Sequence, residues 1–366
     1  MKKTILFILL AISALSIAYV SIKRSTAFKE SPFFFPIEES KPQSEDHVYK
    51  IAVVGSGAAG IMALERAVLN NDEVLLFSGG IHNMRNSRGT FVRKVDNIPG
   101  LSPYKRTLIN LRNNTLKELK EHSHLGHNLN FFKASVQKIE RTPEGLFLLE
   151  DNKGRSYKVQ YVVLATGIMD TQPIIGGTHK FILPYANSQA IAYCIRCDGH
   201  RAINKKTVIV GHGNSAAQIG IILKQRYAIT ELSILTHGKD PEWAAKDQDK
   251  LNQMGISILK SPIAEILGQK KEGILEGFRL GNGEIIGAEF GVVTLGIRPN
   301  NHLAKMLGAD LDQRGLVITN DTCETNIPNL FVIGDLRANA MKQIYIGWTH
   351  GVIALDLINR RIRNAR

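Results

Sequence analysis

Within Cys194-Ile195-Arg196-Cys197-Asp198-Gly199, two thiols and a carboxylate lie inside one short stretch, and the rest of the chain has a single further cysteine, Cys323. A C-x-x-C pair serves metal binding, redox exchange or structure, and its spacing alone does not choose. Three cysteines in 366 residues exclude a four-cysteine zinc site and a disulfide-stapled scaffold, and no metal site is expected. Two glycine turns flank the pair, Gly55-Ser56-Gly57-Ala58-Ala59-Gly60 and Gly211-His212-Gly213-Asn214-Ser215-Ala216. Turns of this kind cradle dinucleotide phosphates, so the pair reads as a dithiol that exchanges electrons with a bound cofactor. The attacking species is a thiolate, and Arg196 between the cysteines is a candidate to stabilise it.

Both turns have the sequence context they need. Tyr49-Lys50-Ile51-Ala52-Val53-Val54 is a β-rich run before Gly55, residues 61–69 read as a helix, and 73–77 as the next strand. Glycines there permit a tight turn and close approach of pyrophosphate to backbone, and the helix N-terminus stabilises its charge. The acid that usually meets an adenosine ribose is missing, since Ser78-Gly79-Gly80 ends the second strand. The unit recurs as a strand over 206–210, the turn Gly211 to Ala216, a helix over 214–226 and a strand over 232–235. Its strand end, Thr236-His237-Gly238-Lys239-Asp240, has neither an acid for an NAD ribose nor an arginine pair for a 2′-phosphate; His237 and Lys239 are the phosphate candidates. Two nucleotide units predict one flavin and one nicotinamide. Val162 to Gly167, ending Ala165-Thr166-Gly167, reads as a strand with a small-residue turn, and 329–335 as a buried strand ending Gly334-Asp335, a carboxylate suited to a polyol.

The remaining sequence bounds the setting. The net charge of +13 is spread along the chain without a basic run, so nucleic acid is not expected as a partner. The apolar stretch 5–22 is at the lower limit of length for spanning a bilayer as a helix, and residues 1–24 read as a signal anchor. The rival is a cleavable signal peptide, because Ser16-Ile17-Ala18 is a small-x-small site. Residues 25–48 read as a linker, with three prolines before residue 48 and the aromatics Phe33-Phe34-Phe35. The trio His122, His124 and His127 reads as a solvated loop, and Cys323 as a spectator thiol.

From residue 49 onward the order of motifs resembles the low-molecular-weight thioredoxin reductase family: the first glycine turn, Val95-Asp96-Asn97-Ile98-Pro99-Gly100, Ala165-Thr166-Gly167, the Cys194–Gly199 motif, the second glycine turn, Gly334-Asp335 and Lys342-Gln343. The resemblance implies an α/β protein of two Rossmann-like three-layer domains. An FAD domain over 49–170 and 292–366 is interrupted by an NAD(P) domain over 171–291 that carries the dithiol. It places Asn97, Val136, Asp335, Gln343 and Ile344 at FAD. It further implies that Cys197 faces the flavin, that Cys194 attacks the substrate disulfide, and that Asp198 is the acid for the departing thiolate. His350, near the flavin end of the last helix, is a candidate acid–base group or a packing residue. Rotation of the inserted domain, hinged near 170 and 291, and a homodimer are also implied.

Three features depart from that family: the absent basic clamp at 236–242, the N-terminal apolar segment, and a loop over 80–90 that is more like relatives oxidising small dithiols with oxygen. The leading expectation is a disulfide reductase passing electrons from NADPH or NADH through FAD and Cys194/Cys197 to a thioredoxin-like protein. The alternatives are an FAD-dependent oxidase of a small-molecule dithiol and a membrane-tethered flavin-binding redox sensor. A reductase needs its catalytic domain in the cytosol, where reduced nicotinamide is found; an exported form favours the oxidase.

Overall fold

The computed structural model of the chain describes residues 38–79, 87–90, 95, 97–98, 108–121, 124 and 126–365. The apolar stretch 5–22, the aromatics at 33–35, most of the loop over 80–90, and His122 lie outside the described residues. Among the described residues no helix is long and apolar enough to cross a membrane. Residues 39–366 hold together as one unit.

Strand β1 (Val48–Val54) ends in four consecutive buried residues, the pattern of a parallel strand covered on both faces. It leads through Gly55 into helix α1 (Ala58–Leu69), which buries Ile61, Leu64 and Val68 along one stripe. The helix thus starts three residues earlier than its apolar pattern predicts, because the glycine turn itself supplies the first turn's backbone. β2 (Val74–Phe77) pairs parallel with β1. After α2 (Leu108–Glu121), β3 (Leu129–Phe132) pairs parallel with β2. β4 (Val136–Arg141), β5 (Phe147–Asp151) and β6 (Ser156–Leu164) form an antiparallel meander, and β6 then runs parallel to β1. Val136, expected at the cofactor, is instead a core residue, 3% exposed in the cluster that holds Phe77, Phe132, Phe147 and Tyr157.

β7 (Ile168–Asp170) carries the chain out of this sheet. The inserted unit follows as α3 (Leu183–Asn187), β8 (Ile191–Ala192), α4 (Ile195–Asp198), β9 (Thr207–Val210), α5 (Asn214–Arg226), β10 (Leu232–Leu235), α6 (Ala245–Gln253) and β11 (Ser257–Leu259). An antiparallel sheet of β12 (Ile263–Gln269), β13 (Ile274–Leu280) and β14 (Ile285–Gly287) precedes β15 (Phe290–Val293). The parallel order is β11-β10-β9-β15-β8, a second nucleotide-binding sheet. The expected return near 291 falls inside β15, whose four residues are all buried and paired with β9, so the chain leaves this unit only after Val293.

β16 (Ile297–Pro299) pairs antiparallel with β7, so the outward and return crossings lie side by side as a ribbon. α7 (His302–Met306), β17 (Leu330–Val332), which pairs with β6, and α8 (Ile344–Asn364) complete the first unit. α8 packs closely on α1: a Cβ added at Gly351 would sit 3.1 Å from Ala63 N, and one at Gly347 3.2 Å from Ala59 Cβ.

Candidate active site

The two glycine turns share one geometry. Gly57 and Gly213 are the N-caps of α1 and α5, both extended and without a side-chain cap, which leaves the first helical N–H groups facing outward. A Cβ at either would meet nothing within 4 Å, an open face for an approaching phosphate. The first glycine of each turn is closed in: a Cβ at Gly55 would lie 2.4 Å from Ala165 O, and one at Gly211 2.8 Å from Thr294 O. Ser56 Oγ donates to Ser78 O at 3.1 Å, and Gly79 N to Ala134 O at 3.0 Å, which fixes the end of β2 beside the first turn. Asn214 and Ser215 are exposed on α5, whereas Ala216 is buried.

A cavity of about 230 Å³ starts at the α1 N-terminus. Gly57, Ala58, Asn97, Ala165, Gly167, Gly334, Asp335, Gln343 and Ile344 of the first unit line it, together with Cys194, Cys197 and Asp198 of the inserted one. Thr166 serves another purpose: its hydroxyl donates to Asn300 O at 2.7 Å, and buried Asn300 donates from Nδ2 to Thr166 O at 2.9 Å, locking the turn to the segment after β16.

Cys194 and Cys197 form a disulfide with Cα atoms 5.3 Å apart. Cys194 is the N-cap of α4, and its Sγ accepts from Cys197 N at 3.3 Å, a donor that favours a thiolate there once the bond is reduced. Arg196 is exposed. Arg201 Nε donates to Asp198 Oδ1 at 3.3 Å while Arg201 Nη2 donates to Gln189 Oε1 at 2.8 Å, so Asp198 stands as a paired carboxylate. Gln343 Nε2 lies 3.4 Å from Cys197 Sγ and 3.6 Å from Cys194 Sγ, and Asn97 Nδ2 donates to Gln343 Oε1 at 2.8 Å.

A charged cluster that joins the motif residues Asp335 and Lys342 to Arg88 and Asp170 forms another part of the wall. Arg88 Nη2 donates to Asp170 Oδ1 at 2.5 Å, and Arg88 Nη1 lies 3.9 Å from Asp335 Oδ2. Burial pushes both carboxyls above the ordinary range, against the pull of Arg88. Burial also lowers the ammonium of Lys342, whose Nζ donates to Arg337 O at 2.6 Å. Tyr193 donates its hydroxyl to Gln172 Oε1, and burial raises the phenol. Arg88, Asp170, Tyr193 and Asn300 escaped the sequence reading because each is an isolated residue whose partner lies far along the chain.

His350 is a packing residue. It is 6% exposed, its Nδ1 accepts from Gly334 N at 3.3 Å, and burial, with Arg337 and Lys342 nearby, lowers it to about 4. Cys323 is buried and pushed up to about 11 by that burial, the condition of an inert thiol. His237 is also not placed as expected. Its Nδ1 accepts from Ile263 N and its Nε2 donates to Ile174 O, both at 2.9 Å, so neither ring nitrogen is left for a phosphate. Lys239 is exposed at the same strand end.

The cavity fits a flavin dinucleotide. It offers an uncapped helix N-terminus, an open glycine face, and Arg88 Nε, which is buried without a hydrogen-bond partner among the described residues. Residues 49–351 match the family described as pyridine nucleotide-disulphide oxidoreductase. The chain belongs to that family and is an FAD-dependent thiol–disulfide oxidoreductase that uses a reduced nicotinamide. It is 22% identical to a thioredoxin reductase of Mycoplasmopsis pulmonis, over 87% of this chain and 99% of that protein. It is 26% identical to a 34.2 kDa protein in the rubredoxin operon of Clostridium pasteurianum, over 87% and 98%. The crystal structure of thioredoxin reductase from Streptococcus pyogenes superposes with a TM-score of 0.73 at 22% identity, covering 87% of this chain and 99% of that one.

Proposed function

We propose that NADPH or NADH delivers electrons through FAD to Cys194–Cys197, and that the dithiol passes them to a disulfide on a thioredoxin-like protein. The observation that carries this reading is the disulfide itself, which closes one wall of the cavity begun by the α1 N-terminus. FAD, when bound, supplies a two-electron carrier between nicotinamide and dithiol. Gly57 and Ala58 at the α1 N-terminus would take its pyrophosphate, Ser78 and Gly79 its adenosine end, Asp335 its polyol, and Asn97, Gln343 and Ile344 its ring side. Gly213 to Ala216 and Lys239 would meet the nicotinamide coenzyme.

In the exchange step the Cys194 thiolate attacks the substrate disulfide, and the thiolate that leaves takes a proton from Asp198. Cys197 then displaces the second substrate sulfur and restores the internal disulfide. Asp198 must first separate from Arg201, since a carboxylate held by a guanidinium retains no proton to give. The apolar segment 5–22 would tether the chain to a membrane with its redox units in the cytosol, a reading carried by sequence alone. Protease accessibility in intact against lysed cells tests it. Pairing of two copies is carried by the family resemblance, and sedimentation equilibrium tests it.

Anaerobic titration tests the electron path. Rapid bleaching of the flavin by NADPH or NADH is expected. Bleaching only by dithiols, with peroxide formed on readmitting air, would instead assign a dithiol oxidase. No bleaching by either reductant would leave a redox sensor. Cys194→Ser and Cys197→Ser should each keep FAD and lose disulfide exchange by ~10³-fold or more. Exchange retained in both variants would refute the role of the pair.

A further inference from the structure

The family resemblance assigns Gln343 to the flavin, yet its side-chain amide is turned toward the sulfurs. The orientation is fixed from behind. Gln343 Oε1 accepts from Asn97 Nδ2 at 2.8 Å, which leaves the Nε2 hydrogens facing Cys197 Sγ at 3.4 Å and Cys194 Sγ at 3.6 Å. Gln343 is only 6% exposed, so its amide has little water to bond instead. The two sulfurs are not equally served. Cys194 Sγ already accepts from the N–H of Cys197, whereas Cys197 Sγ has the Gln343 amide as a side-chain donor at 3.4 Å.

We propose that Gln343, oriented by Asn97, is a catalytic hydrogen-bond donor that stabilises the thiolate of Cys197 in the reduced dithiol. A hydrogen bond to an ionised acceptor is stronger than one to a neutral sulfur, so the contact gains strength as the disulfide is reduced and favours the charged form. Anchorage adds a second property. Gln343 is the N-cap of α8, fixed in the first unit, with its own N–H donated to Met341 O at 3.0 Å. The sulfurs belong to the inserted unit. The donor therefore reaches Cys197 only while the dithiol faces the cavity, and any movement of the inserted unit that withdraws the dithiol removes the donor and raises the pKa of Cys197.

The proposal rests on the redox reading of the cysteine pair, and its test separates the two. In a Cys194→Ser background, the pKa of Cys197 follows from the pH dependence of its alkylation by iodoacetamide in the flavin-loaded protein. Adding Gln343→Leu should raise that pKa by about one unit, leaving roughly tenfold less thiolate at neutral pH. Asn97→Leu should raise it by less, and the two together by no more than Gln343→Leu alone, because Asn97 acts through Gln343. Gln343→Glu, close in shape, should raise it at least as far by placing a carboxylate against the thiolate. Urea unfolding reports that each variant has folded, and the pKa is compared at saturating flavin. An unchanged pKa in flavin-loaded Gln343→Leu or Gln343→Glu, or full additivity of the Asn97 and Gln343 effects, overturns the proposal. Disulfide exchange that survives in both single cysteine variants would overturn the redox reading itself, whatever the pKa.

Discussion

The two glycine turns begin alike and end differently. Each has a buried strand, a closed first glycine, an open second glycine and an uncapped helix. At the third position they part. A Cβ at Gly60 would lie 1.9 Å from Gly55 O, whereas the second turn carries Ala216, whose Cβ is accommodated beside Gly211. Around the first turn, Asp335, Arg88, Asn97 and Gln343 close a cavity; around the second, a loop folds back across the turn. One local backbone design thus stands in two different surroundings.

The sharpest way to break that comparison is to exchange the third residues. Gly60→Ala forces a methyl into a backbone carbonyl and should cost several kcal/mol, with loss of bound flavin; Ala216→Gly should cost only about 1 kcal/mol of helix propensity. Urea unfolding and the flavin-to-protein absorbance ratio measure both, and equal costs would show that the turns are interchangeable.

A smaller effect separates the turns by pH. The first has a titratable brace, His350, whose Nδ1 accepts from Gly334 N. Its pKa falls from an ordinary 6.5 to about 4 in the folded state, so between those values the unfolded chain binds the extra proton. The contribution is complete above about pH 6.5 and is lost as pH falls toward 4, by roughly 1–3 kcal/mol. The raised carboxyls Asp170 and Asp335 act with the opposite sign, gaining stability as they protonate. The comparison is therefore with His350→Gln, whose unfolding free energy should fall less between pH 7 and pH 4.5. Parallel acid losses in the two proteins would remove His350 as the cause.

The smallest effect concerns the coenzyme. Glu242 N donates to His212 O at 2.7 Å, and Glu242 forms a parallel bridge with Gly213, so its exposed carboxylate stands beside the second turn. Of the nearby side chains, His237 is consumed by backbone contacts, Lys260 is paired with Asp240 at 2.9 Å, and Lys239 is exposed at the strand end. A carboxylate there accepts from ribose hydroxyls and repels a 2′-phosphate. NADH should bind about tenfold more tightly than NADPH, and Glu242→Arg should reverse the order, as read by quenching of Trp243 fluorescence. Equal affinities would leave the two turns without different selectivity.

The glycine turns, the strands that feed them and the cysteine pair were legible because each is contiguous and its chemistry is local. Helix α5 occupies the span its pattern predicts, and β10 likewise. The Arg88–Asp170 and Asn300–Thr166 contacts were not legible, since they join residues 82 and 134 positions apart and neither partner lies in a periodic pattern. His237 misled for a related reason. A histidine at a strand end is a sensible phosphate ligand until the fold brings Ile263 N and Ile174 O to its two nitrogens. The return crossing expected near 291 falls inside strand β15 because burial against β9, a tertiary fact, sets where the inserted unit ends.

The ribbon of β7 and β16 has a kinetic consequence. Both crossings of the chain run through it, three residues each way, so the disulfide is a reagent on a short leash. Short tethers hold their cargo at an effective concentration of about millimolar, whatever the abundance of the protein. Transfer from a bound flavin to the dithiol would therefore be a first-order event, indifferent to dilution. The encounters with the reduced nicotinamide and with the outside disulfide are the steps that depend on how much of each is there.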